Sequence, residues 1–125
     1  MAKTISTVIG IVFILVGIAG FLVPNLLGAH LSFAHNIIHL FSGAIALYFG
    51  LGGTLAGARA FCLVFGAVYL LLGVVGMVAG TGAGRLLTVI PDALVLGTVD
   101  HVIHILIGGL FLIGGLTTKA AAAPA

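Results

Sequence analysis

The sequence predicts an all-α membrane protein, a single domain over residues 1–125 built as a bundle of four transmembrane helices. Composition is the first observation: hydrophobic residues make up 62% of the chain and charged residues 5%, whereas a soluble domain has about 25% charged residues. Segment length is the second. Apolar stretches at about 5–23, 32–51, 60–79 and 98–116 each approach the ~20 residues that a helix needs to cross a ~30 Å hydrocarbon core.

The connections between these stretches carry turn-forming residues. Pro24 and Asn25 end the first helix, and Gly52–Thr54 begins a short second turn. The segment at about 80–97 is the longest connection. We expect an interfacial loop or a short helical turn lying against the mouth of the bundle, with a re-entrant segment as the alternative.

Basic residues predict the orientation of the helices. With four crossings, Lys3, Arg59 and Lys119 share one side of the membrane, and Arg85 lies on the other. Cytoplasmic segments are enriched in Lys and Arg, so both termini are predicted to be cytoplasmic. No basic cluster is present that would predict nucleic-acid binding.

The helices also contain an internal repeat. Residues 13–20 and 69–76 share an aromatic residue, three aliphatic residues, a glycine, two small or aliphatic residues and a glycine. Residues 36–43 and 101–108 share a polar residue, two aliphatic residues, a histidine and a later glycine. The pattern predicts a parallel duplication of a two-helix unit, with a pseudo-two-fold axis along the membrane normal.

Glycine is unusually frequent, with 20 residues. Small residues allow the backbones of membrane helices to approach closely. We therefore predict helix-packing roles for seven glycines: Gly17, Gly20, Gly43, Gly73, Gly76, Gly80 and Gly108.

Polar side chains within the apolar stretches are the candidate functional residues, because such groups are costly in a membrane. His35 and His39 share a helical face, as do Asp100 and His104, because each pair is four residues apart. These four residues form a plausible zinc site. In the structural alternative, Asn36 and Asp100 satisfy N–H groups of the first helical turns, and the histidines bond across the bundle.

A tetrapyrrole is the other cofactor that the histidines suggest. His39 and His104 could be axial ligands of a haem, or could each bind a chlorophyll-type pigment. Gly43 and Gly108, one turn deeper, would leave room for the ring. A proton path is less supported, because the polar residues stop at one end of the helices.

The histidine motifs resemble those of a known family. His35-Asn36-Ile-Ile-His39-Leu is similar to the HNxxHL signature of an uncharacterised bacterial membrane family, domain of unknown function 4383, and Asp100 to His104 is similar to its second motif. A weaker similarity links the chain to DoxX-like four-span proteins. The resemblance implies a bacterial four-span protein, and hence the inner (cytoplasmic) membrane, and brings no activity with it.

Taken together, the sequence predicts a non-enzymatic integral membrane protein. We expect an accessory or structural subunit that packs against larger membrane partners, or a homo-oligomer, within the lipid bilayer. A tetrapyrrole-binding bundle and a His/Asp metal site are the two alternatives.

Overall fold

The computed structural model describes residues 1–119, and it confirms the all-α four-helix architecture. All four helices are long and apolar enough to cross a membrane. A 3₁₀ turn, Leu26–Gly28, links the first two helices, and a π-helical turn, Tyr48–Gly52, continues the second. In chain order the elements are α1 (Ala2–Leu22), α2 (Phe33–Leu47), α3 (Leu55–Ala79), β1 (Leu87–Ile90), β2 (Leu94–Leu96) and α4 (Thr98–Thr117).

The third helix begins five residues before the predicted start at residue 60. Thr54 caps it, since its hydroxyl oxygen accepts a hydrogen bond from Gly57 N–H at 3.0 Å, and such a cap satisfies one of the free N–H groups of the first turn. The 25 residues of α3 span about 37 Å. The helix is therefore longer than the hydrocarbon core, and its ends reach the interfaces.

Within the segment 80–97, strands β1 and β2 form a β-hairpin, where the sequence predicted an interfacial loop or a short helical turn. Strands β1 and β2 pair antiparallel, with Leu87 opposite Leu96 and Thr88 opposite Val95. The alternation in β2 explains the strand, because Leu94 and Leu96 are 6% and 1% exposed while Val95 between them faces outward. The hairpin packs this leucine face onto the bundle.

The helices associate as two hairpins, α1 with α2 and α3 with α4. Matching glycines in the two hairpins make matching contacts. A side chain at Gly17 would meet Leu40 and the carbonyl of residue 36, and one at Gly73 would meet Ile105 and the carbonyl of residue 101. These contacts follow the sequence match, in which α1 and α3 are offset by 56 residues and α2 and α4 by 65.

Six of the seven predicted packing glycines lie at these helix–helix contacts: Gly17, Gly20, Gly43, Gly73, Gly76 and Gly108. Gly80 instead ends α3, where it lies against the backbone of Arg85. The centre of the bundle is aromatic. Phe13 and Phe111 are 1% and 0% exposed, and their ring centroids are 6.3 Å apart.

Candidate metal centre

Three histidines converge in the half of the bundle nearest the hairpin. His35 and His39 lie on one face of α2, and His104 comes from α4. Each offers a ring nitrogen, and these three atoms all lie within 4.8 Å of one another. All three side chains are buried, with 3%, 7% and 3% exposure. We call His35, His39 and His104 the histidine cluster.

A backbone contact orients the first histidine. His35 Nδ1 lies 2.8 Å from the carbonyl oxygen of His30. Because a carbonyl only accepts, the proton of the neutral ring is on Nδ1, and Nε2 keeps its lone pair. A hydrogen bond from the second ring nitrogen to a carbonyl is the usual support for a metal-ligating histidine.

The other two histidines lack such partners. The Nδ1 atoms of His39 and His104 are buried, and no atom of residues 1–119 is placed to hydrogen-bond them. An unpaired buried polar group costs about 1–3 kcal/mol. Because one ring nitrogen of each of the three histidines lies within 4.8 Å of the others, the cluster is a donor set for a bound ion.

Asp100 is not part of the histidine cluster, although the sequence suggested it as a ligand. Its Oδ2 accepts a hydrogen bond from Gly97 N–H at 2.8 Å, across the first turn of α4. The carboxylate also accepts the backbone N–H of His30 at 3.1–3.2 Å and lies 3.3 Å from His30 Nδ1. The structure therefore gives Asp100 the capping role of the structural alternative.

The two polar residues at matching positions beside the cluster also bond loop carbonyls. Asn36 donates from Nδ2 to the carbonyl of Leu31 at 3.3 Å, and His101 Nε2 lies 2.6 Å from the carbonyl of Arg85. Each therefore fastens the start of its helix to the preceding connection. His101 is thus a buried histidine outside the cluster.

Aromatic side chains pack against the histidine cluster. The ring of Phe13 stacks on His39 with 5.4 Å between centroids and 13° between planes. The ring centroids of Tyr69 and His104 are also 5.4 Å apart. The Tyr69 hydroxyl makes a long, 3.4 Å hydrogen bond to Ser42 Oγ. Tyr69 and Ser42 lie within the repeated segments 69–76 and 36–43, but they were not predicted as site residues.

The histidine cluster borders a cavity of about 210 Å³ between α2 and α3. We call it the α2–α3 cleft. It is lined mainly by apolar atoms, and the leucines of β2 cover one end. Besides these leucines and the cluster, its walls are Ile38, Ser42, Phe65, Val68, Tyr69 and Leu72.

The fold and this site define a multi-pass membrane protein of four apolar helices with a buried three-histidine cluster. Comparison with known families takes this further: the family model described as Domain of unknown function (DUF4383) matches residues 3–117. The chain belongs to that family, as its histidine motifs predicted. No curated protein and no solved structure matches the chain, so the similarity to DoxX-like proteins has no support.

Proposed function

We propose that this protein binds one divalent transition-metal ion within the membrane through His35, His39 and His104. The convergence of three buried ring nitrogens within 4.8 Å carries the proposal. Imidazole suits zinc, copper, iron and nickel. Three protein ligands leave one position of a tetrahedral ion open, as in sites that bind an exchangeable ligand.

Burial, convergence and missing hydrogen bonds together favour a metal over histidines that merely hold helices together, whereas His101 has an unpaired Nδ1 but lies outside the convergent group. Interhelical histidines that stabilise a bundle do so by hydrogen bonding. Within residues 1–119, neither His39 Nδ1 nor His104 Nδ1 has a hydrogen-bond partner. A zinc ion with bonds of ~2.0–2.1 Å needs its nitrogens about 3.4 Å apart, so ring nitrogens that now lie within 4.8 Å of one another have to move closer on binding.

A tetrapyrrole is less well supported. A ring ligated by His39 and His104 has to fit between the two imidazoles, but His35 packs on His39 with 4.2 Å between centroids. The neighbouring cavity of about 210 Å³ is also smaller than the ~300–1,000 Å³ of typical ligand pockets. We therefore expect the purified protein to lack the intense visible band of a haem.

The accessory-subunit hypothesis loses one of its arguments. It relied on glycine faces for lateral contact with partners, but six of the seven glycines pack inside the chain's own helical hairpins. The exposed apolar surface is what a lipid-facing bundle requires. Membrane partners or a second copy therefore remain a prediction, and metal binding is the function that the site favours.

We place the protein in the bacterial inner membrane with both termini in the cytoplasm. The family motif supports a bacterial source, and Lys3, Arg59 and Lys119 against Arg85 support the orientation. The histidine cluster then lies in the outer half of the bilayer. We infer binding and not catalysis, since the chain has no glutamate and Asp100 is engaged by backbone N–H groups.

Metal binding is tested on protein purified through a tag without histidine. We expect one cobalt(II) or zinc ion per chain in a calorimetric or spectroscopic titration. Replacing His39 or His104 by glutamine removes a ligand, and metal affinity should fall at least ~100-fold. This exceeds the 10–100-fold loss typical when a residue that hydrogen-bonds a metal ligand is replaced. A wild-type chain that binds no metal would refute the proposal.

His101→Asn is the matched control. His101 is as buried as the cluster residues, and asparagine is the residue at the matching position 36. Since His101 bonds a carbonyl and does not belong to the cluster, this variant should bind metal like the wild type. Equal losses in His101→Asn and His39→Gln would indicate a general effect on the fold.

A further inference from the structure

We propose that the α2–α3 cleft admits a small apolar molecule with one aromatic ring from the bilayer, whose nitrogen or oxygen donor takes the open position on the metal. This inference rests on the proposed metal site and names the kind of ligand that the site accepts. It follows from where the cleft opens, how large it is and how it differs from a second, matching cleft.

The mouth of the cleft lies at hydrocarbon depth. Val68 and Ile38 border it, and both are exposed on the outer surface of the bundle, at 56% and 38%. Val68 is near the middle of α3, about 20 Å from its first residue. A molecule reaching the cleft between these two side chains therefore comes from the lipid acyl chains.

The aqueous end of the cleft is covered. Leu94 and Leu96 of β2 line the cleft and are almost fully buried. The hairpin thus separates the cavity from the polar surface with two leucine side chains. Apart from the histidine cluster and the hydroxyl groups of Ser42 and Tyr69, its lining is apolar, so a strongly polar organic solute would lose its hydration for few new partners.

The size of the cleft fits one ring. A buried apolar cavity of about 150 Å³ is known to hold benzene, and this cleft has about 210 Å³. A benzene ring with a short donor-bearing group therefore fills it. The histidine cluster lies along the cleft, so a donor atom on the ring can face the metal while the ring contacts Phe65 and Tyr69.

A matching cleft lies between α1 and α4 on the other side of the cluster. Its lining follows the repeat: Val12 and Phe13 match Val68 and Tyr69 with an offset of 56. Ile107 there matches Ser42 with an offset of 65. This α1–α4 cleft holds only about 70 Å³, too little for a ring, and it lacks the hydroxyl groups of its counterpart.

The two clefts supply a test with built-in controls. The probes are imidazole and 4-phenylimidazole, which present the same donor without and with a phenyl ring. Binding of each to the cobalt(II)-loaded protein is followed by the visible cobalt spectrum in one detergent. Val68→Trp and Leu72→Phe fill the α2–α3 cleft, whereas Val12→Trp and Val16→Phe change the matching positions of the α1–α4 cleft.

We expect the affinity ratio of 4-phenylimidazole to imidazole to fall about tenfold in Val68→Trp and Leu72→Phe, because the phenyl ring loses its packing contacts. The ratio should stay unchanged in Val12→Trp and Val16→Phe, and imidazole should still bind all variants. If Val68→Trp does not retain cobalt, the smaller change Leu72→Phe decides.

An equal ratio in all five proteins, with cobalt bound, would overturn the cleft proposal and leave the metal site intact. If the affinity ratio falls only in Val12→Trp, the ligand binds in the α1–α4 cleft, and the proposal for the α2–α3 cleft is also overturned. Wild-type protein that binds no cobalt would refute the proposed function, and the cleft proposal with it.

Discussion

His30 connects the histidine cluster to the start of α4 through its backbone. Its carbonyl oxygen accepts the proton of His35 Nδ1, and its N–H donates to Asp100. The carboxylate of Asp100 therefore holds residue 30, whose carbonyl group orients His35. Because these contacts use the backbone of residue 30, they depend on Asp100 more than on the His30 side chain, which is about half exposed.

Asp100→Asn should weaken metal binding without removing a ligand. The amide is uncharged and has one acceptor oxygen in place of two, so His30 N–H loses one of its two acceptors and the bonds that remain are weaker than those to a carboxylate. Metal affinity should fall about tenfold, the low end of the range for residues that support a metal ligand. The free energy of unfolding should fall by about 1–3 kcal/mol. Calorimetric titration and thermal unfolding in detergent measure the two effects.

Asp92→Asn is the control for this substitution. Asp92 is exposed in the hairpin turn with a φ of 61°, and asparagine tolerates that conformation. Metal affinity should be the same as in the wild type. An Asp100→Asn protein with wild-type affinity would show that His35 needs no support from the start of α4.

At this scale the sequence predicted most of the cluster. The four-residue spacing of His35 and His39 and the matching position of His104 indicated three residues that do meet. Asp100 was misjudged because spacing alone cannot distinguish a ligand from a cap that turns towards its own helix start. Tyr69 and Ser42 could not be predicted as cleft residues, since their position depends on the gap between α2 and α3.

At the scale of the elements, glycine determines how closely α3 and α4 approach. A methyl group at Gly108 would press on the backbone of Leu70 and on the carbonyl oxygen of Gly66. Backbone atoms cannot move aside as a flexible side chain can. The neighbouring Gly109 has no described atom within 4 Å of where a methyl group would be.

Gly108→Ala should therefore destabilise the bundle, and Gly109→Ala should not. Overpacking at Gly108 should lower the unfolding free energy by about 1–3 kcal/mol. Gly109→Ala should leave it unchanged or raise it by up to about 1 kcal/mol, since alanine is the better helix former. Thermal unfolding in one detergent compares them, and equal stabilities would contradict the packing role of Gly108.

The helices were predictable and the hairpin was not. Long apolar stretches in a membrane chain have to be helical, because the backbone needs internal hydrogen bonds. Four of the five residues 86–90 are apolar, and only Thr88 is polar, so the segment shows no clear alternation of polar and apolar residues. Pro91 and Asp92 indicate a turn, but the pairing of β1 with β2 depends on the bundle surface that buries Leu94 and Leu96.

At the scale of the whole molecule, the two helical hairpins surround the histidine cluster with matching contacts and clefts. These matches support a duplication of one two-helix unit, with the cluster close to the pseudo-two-fold axis. His39 and His104 occupy matching positions, whereas His35 matches Asp100. The departure from symmetry at this pair, and at Ser42 and Ile107, coincides with the larger cleft on one side.

The proposed orientation gives a prediction for the two sides of the membrane. Cys62, the sole cysteine, is buried and can be replaced by serine to give a background without thiols. A cysteine at the exposed position Asp92, in the hairpin, should react with a membrane-impermeant maleimide in intact cells. A cysteine at position 54, between α2 and α3, should react only after the cells are permeabilised. The reverse pattern would invert the topology.

X-ray absorption at the metal edge tests the central claim most directly. The sample is the wild-type protein with one equivalent of zinc. We predict three imidazole ligands at ~2.0–2.1 Å and one non-imidazole ligand at the open position. The number of imidazole ligands should fall to two in His39→Gln or His104→Gln. A first shell of oxygen atoms only, or an unchanged imidazole number in both variants, would contradict a metal site formed by His35, His39 and His104.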